Sequence, residues 1–97
     1  MLVALVRFDL RIPGSHSLKQ KRHVVKTLTS GLRTTFNVSV AEVDHQDLWQ
    51  RAAIAVAAVG GREYHLRKVV HEVEKFVERW TEVELIVAEL SLHGPDD

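Results

Sequence analysis

From Leu2 to Ile12 every even position is apolar (Leu2, Ala4, Val6, Phe8, Leu10, Ile12), while Arg7, Asp9 and Arg11 occupy odd ones. A period of two marks a strand with one buried face, because successive side chains of an extended chain point to opposite sides. Pro13 and Gly14 break that strand. Ser17-Leu18-Lys19-Gln20 has the form of a capping box, with Ser17 capping a helix that starts at Leu18 and Gln20 reaching back. Leu18, Val25, Leu28, Leu32 and Phe36 recur at helical spacing, so the helix is expected to end near Phe36. Residues 37–44 alternate again and predict a second strand. Residues 52–59 form a nearly continuous apolar run that predicts a third, stopped by Gly60 and Gly61. Leu66, Val69, Val70, Val73, Val77 and Trp80 give a second amphipathic helix over residues 62–80. Residues 83–92 read as a last strand and residues 93–97 as a frayed tail.

Strand, helix, strand, strand, helix, strand within one domain spanning residues 1–97 predicts an α+β, ferredoxin-like split βαβ sandwich (βαββαβ). This is a four-stranded antiparallel sheet with both helices on one face. Right-handed crossovers place the first and third strands in the centre. The same topology brings the turn at residues 13–17, the start of the first helix, the Asp44-His45-Gln46-Asp47 loop and the turn at residues 80–82 to one end of the sheet.

Composition narrows the function classes. The 97-residue chain has no cysteine, which excludes disulfides, thiolate zinc sites and cysteine nucleophiles and fits a reducing, cytoplasmic location. Arg7, Asp9 and Arg11 interrupt the apolar start, leaving no run suited to a signal or membrane helix. Thirteen basic and thirteen acidic side chains cancel overall, but six bases and no acid lie between Leu10 and Ala41. That basic segment is the better clue to a partner.

The Asp44-His45-Gln46-Asp47 loop, with His16 on the neighbouring turn, holds residue types that ligate metals or move protons. No recognised catalytic or metal motif accompanies them, and the six histidines show no metal spacing. The favoured reading is structural, with Asp44 and Asp47 pairing with Lys19, Lys21, Arg22 or Arg51 and with backbone amides. No catalytic residue, cofactor or metal is indicated. Trp49 is expected to close the end of the core in preference to stacking a nucleobase.

On the first helix, Lys19, Arg22, Lys26 and Arg33 fall within one stripe beside the buried face. At 1.5 Å per residue that stripe is about 21 Å long, enough to follow several phosphates. The positive end of the helix dipole at Ser17 adds an attraction for anions. Arg11 and Lys21 are secondary candidates. The competing reading is a solvated face such as the second helix offers, where signs alternate. The sheet face away from the helices carries no aromatic platform on its central strands, so it does not look like an RNA-recognition motif. It is small and apolar instead, which makes a homodimer through the sheet the alternative.

IPGSHSLKQKRHVVK together with FNVSVAEVDHQDLWQRA resembles the YlxP-like family of small bacterial proteins of unknown function, over most of residues 1–59. The resemblance implies a ferredoxin-like fold and supplies no reaction, cofactor or catalytic residue. It implies an RNA- or ribosome-related role by association, because genes of the family often neighbour those for translation initiation and ribosome maturation. Three expectations follow, in order of preference: a non-enzymatic RNA- or ribosome-associated protein, a homodimeric interaction domain, and a small-ligand or metal site at the residue 44–47 loop.

Overall fold

The alternation at the start of the chain becomes β1, Leu2–Arg11, whose even residues sink beneath the helices: Phe8 and Leu10 are fully buried, as is Ile12 just beyond the strand. The computed structural model describes residues 1–96 and orders the elements as β1, α1 (Leu18–Thr35), β2 (Ser39–Asp44), β3 (Arg51–Gly60), α2 (Glu63–Glu78) and β4 (Glu84–His93). The strands run β2-β3-β1-β4, all neighbours antiparallel, with β1 and β3 in the centre as the crossover rule requires. This is the ferredoxin-like split βαβ arrangement.

Both helices pack on one face of the sheet. Val24, Val25, Leu28 and Leu32 of α1 and Leu66, Val70, Val73 and Val77 of α2 meet Val6, Phe8, Leu10, Ile54 and Val56 from below. Each such side chain contributes roughly 1.5–3 kcal/mol by leaving water, and together they fix which face of each element points inward. The two helices come close at Gly31, where an added Cβ would stand 3.1 Å from Phe76 Cζ and 3.3 Å from Trp80 Cζ3. Glycine is used there for proximity.

Antiparallel register places Asp9 and Ala53, Arg7 and Ala55, and Leu5 and Ala57 side by side on the opposite, outer face. Arg11 of β1 faces Arg51 of β3 at one end of the same row. That end also collects the α1 start and the β2–β3 loop: Ile12 N–H donates to Gln50 O, and the Gln50 side chain donates to Ser15 O at 3.0 Å.

His93 belongs to β4, paired with Val3, because the edge strand continues its ladder one residue past the apolar run. The proposed frayed tail therefore begins no earlier than Gly94, and Asp97 lies outside the described residues.

Candidate functional site

The turn after β1 prepares the helix start. Ser15 is buried and its hydroxyl donates to Ser17 O at 3.0 Å. Ser17, in an extended conformation, accepts the Gln20 N–H at 3.1 Å through its hydroxyl, while the Gln20 amide oxygen accepts the His16 N–H. The capping box is therefore present but closes on His16, one residue before the cap. His16 is exposed, and among the described residues no interaction joins it to His45.

Along α1, Lys19, Arg22 and Lys26 project into solvent and form no ion pair among the described residues. Arg33 is exposed too, but one guanidinium nitrogen donates to Val40 O at 2.7 Å, which ties it to β2. Lys21 departs from expectation. It is completely buried, with Nζ 2.7 Å from Glu42 Oε2 and donating to the carbonyls of His45 (2.9 Å) and Gln46 (3.4 Å). Three donors meet three acceptors, so the ammonium is satisfied away from water and cannot reach a phosphate. The sequence carried a signal for this: positions 21, 25, 28 and 32 form one helical face, and Lys21 fills its first turn.

Asp44 accepts a backbone amide as expected, from His45, but its cation is not one of those the sequence suggested. Glu42 sits opposite Ile54 on the helix-facing side of the sheet and takes Lys21. A register shift between Glu42 and Asp44 then inserts an extra residue, so that Asp44 lies opposite Ala53 on the outer face. There Arg7, and not Lys19, Lys21, Arg22 or Arg51, is its cation, at 3.2 Å. Arg7 also donates to both oxygens of Asp9, at 3.2 and 3.3 Å, and so bridges the two carboxylates. His45 adopts a left-handed φ of 61° and hangs over the pair, with Nε2 3.6 Å from Asp9 Oδ1. This cover buries Asp9 and Ala53 on a face that would otherwise be open. Asp47 is exposed and has no partner among the described residues.

The electrostatics follow the geometry. The His45 backbone N–H, donating at 2.8 Å, and then the Arg7 guanidinium hold the Asp44 carboxyl below its ordinary range. Asp9 first and Asp44 second raise the Arg7 guanidinium. A fixed cation lies between the carboxylates and offsets part of their charge; among the described residues no group of His, Asp and Glu is arranged to hold a metal ion.

Trp49 is a further correction. It is 53% exposed, beside Leu48 at 46%, and does not close the core. That work falls to Trp80, which packs on Phe76 with ring centroids 5.6 Å apart, while Phe36 meets Phe76 edge-on at 5.7 Å. Next to α1, a cleft of about 760 Å³ opens between the β1–α1 turn, the first turns of the helix and Thr81-Glu82, with Lys19 and His23 on its rim. A smaller one, lined by Leu48, Trp49, Gln50 and Arg51, lies at the β2–β3 loop.

Residues 3–90 match the model of a family described as "Protein of unknown function (DUF503)". The chain belongs to that family. It is 37% identical over 83 residues to the "Uncharacterized protein YlxP" of Bacillus subtilis, a match covering 86% of this chain and 90% of the relative. Among solved structures, the chain is similar to SnoaB, a cofactor-independent oxygenase from Streptomyces nogalater. The TM-score is 0.52 at 8% identity, over 99% of this chain and 94% of the other. It is also similar to At3g17210 from Arabidopsis thaliana, with a TM-score of 0.51 at 14% identity, over 96% and 94% of the two chains. At such identities the likeness is one of fold alone. Among the described residues no helix is long and apolar enough to cross a membrane.

Proposed function

We propose that this protein acts in the cytoplasm as a small non-enzymatic RNA- or ribosome-associated protein, and that the exposed side of α1 carries its phosphate contacts. The observation behind this reading is the contrast between the two helices. On α2, Arg67 lies 3.3 Å from Glu63 and Lys75 lies 4.0 Å from Glu72, so part of its cationic charge is balanced on the helix itself. On α1, Lys19, Arg22 and Lys26 stand in solvent with no acid on their own element and no ion pair among the described residues. Their hydration and counterions are what a polyanion displaces on binding. Ser17, at the positive end of the helix dipole, begins the stripe and Arg33 extends it; Arg11, at the same end of the molecule but on the outer sheet face, is a secondary candidate. Catalysis at the neighbouring loop is disfavoured because Asp44, Asp9, Arg7 and Lys21 already bind one another or the backbone. Filter binding to bulk cellular RNA and to isolated ribosomal subunits tests the reading: binding is expected at low salt and steep loss at high salt. No detectable binding at low salt would end it.

A second reading rests on the outer sheet face, where Leu5, Val43 and Val87 are each more than two-fifths exposed beside Ala55 and Ala57. A homodimer through that face would bury them and would persist at high salt. Sedimentation showing a monomer at high protein concentration would remove it.

A further inference from the structure

Trp49 is an exposed aromatic on a loop that is tied down on both sides. Upstream, Gln46 O and His45 O accept from the buried Lys21 ammonium; downstream, the Gln50 amide donates to Ser15 O, and Gln50 O accepts the Ile12 N–H. Leu48 N–H closes the intervening turn on His45 O at 3.0 Å. The indole is therefore presented to solvent by a braced support, and a partner that covers it has little chain entropy to remove.

Asp47, exposed two residues before it, is the acid on this loop, and two arginines stand on the strands at the same end. Arg11 and Arg51 lie directly across β1 and β3 from each other, a like-charge pairing that disfavours the strand contact. Glu84 is in register with Arg11 on the other side, yet neither arginine forms an ion pair among the described residues, and Arg51 Nε is buried without a hydrogen-bond partner. Arg51 and Trp49 line the same small cleft. A flat π-surface that shares its cleft with the Arg51 guanidinium, with Arg11 across the strand pair from Arg51, matches a nucleotide, whose base stacks while its phosphate meets the cations.

We propose that Trp49, with Arg11 and Arg51, forms a stacking site for an unpaired base of single-stranded RNA, at the same end of the molecule as the cationic start of α1. This rests on the RNA-binding reading and narrows it to a ligand class, since a base inside a duplex offers no free face to the indole.

The test measures binding of labelled oligouridine and of a duplex RNA of equal length to the full chain and to Trp49→Ala, Trp49→Phe, Arg11→Gln and a Lys19→Glu/Arg22→Glu/Lys26→Glu variant. Circular dichroism confirms that each is folded. Trp49→Ala should weaken oligouridine binding about tenfold and leave duplex binding unchanged, and Trp49→Phe should recover most of the loss. Arg11→Gln should make the logarithmic salt dependence shallower by about 0.7. In a Trp80→Phe background, where Trp49 is the sole tryptophan, oligouridine should quench the fluorescence. Wild-type oligouridine affinity in Trp49→Ala, alongside loss of binding in the triple α1 variant, overturns the stacking site and leaves the α1 reading standing. Failure of the unaltered protein to bind either RNA overturns both.

Discussion

Lys21 Nζ lies 2.7 Å from Glu42 Oε2 with the lysine wholly buried, and this contact joins the first turn of α1 to the end of β2. Removing the ammonium would leave the partly shielded Glu42 carboxylate and two loop carbonyls without their donor. Lys21→Met should therefore lower unfolding stability by about 3 kcal/mol, at the lower end for a broken buried pair because Glu42 keeps some access to water. Urea denaturation gives the value directly. A loss below about 1 kcal/mol would mean that the loop finds other partners. Because this cation does not face solvent, the same variant should keep the salt dependence of RNA binding, while the loop that carries Trp49 loses its upstream brace.

The two tryptophans should separate cleanly. Trp80→Ala removes a ring packed against Phe76 and over Gly31, and should cost about 3 kcal/mol. Trp49→Ala removes an exposed ring and should stay within about 0.5 kcal/mol. Thermal melts of the two variants side by side decide the matter, and a larger loss for Trp49 would reverse the assignment.

Much of this fold could be read from the chain, because parity and helical spacing act locally: the even residues of β1, the Ser17 cap and the apolar run of β3 all take the places their patterns predict. The loop chemistry could not. One extra residue between Glu42 and Asp44 turns Asp44 to the outer face, and nothing in NVSVAEVD announces that irregularity. Arg7 became the partner of Asp44 for that reason. Trp80, in the apolar set of the second helix, was legible as a core residue, whereas Trp49 belongs to no periodic pattern and its exposure is set by tertiary position. Lys21 lay between these cases, since its helical face was legible and its lysine identity argued against burial.

The Asp44 contacts predict a modest acid sensitivity. A carboxyl whose folded-state pKa is depressed contributes stability that is present above the ordinary value of 3.8 and is lost as pH falls through the lowered folded value. Asp44→Asn removes that contribution, so the difference in melting temperature between the variant and the unaltered protein should be steady at neutral pH and shrink below pH 3.8. A constant difference throughout the acid range would show that the Arg7 and His45 contacts do not favour the ionised form.

The most direct measurement of the central claim is RNA affinity against salt concentration for the unaltered protein and for the Lys19→Glu/Arg22→Glu/Lys26→Glu variant. Three phosphate contacts contribute a logarithmic slope of about −2 on single-stranded RNA, so the variant should bind far more weakly at low salt and with a slope flatter by about 2. Its unfolding stability should be nearly unchanged, since all three side chains are exposed. Equal affinity and equal slope in the two proteins would contradict the assignment of α1 as the phosphate-contacting surface.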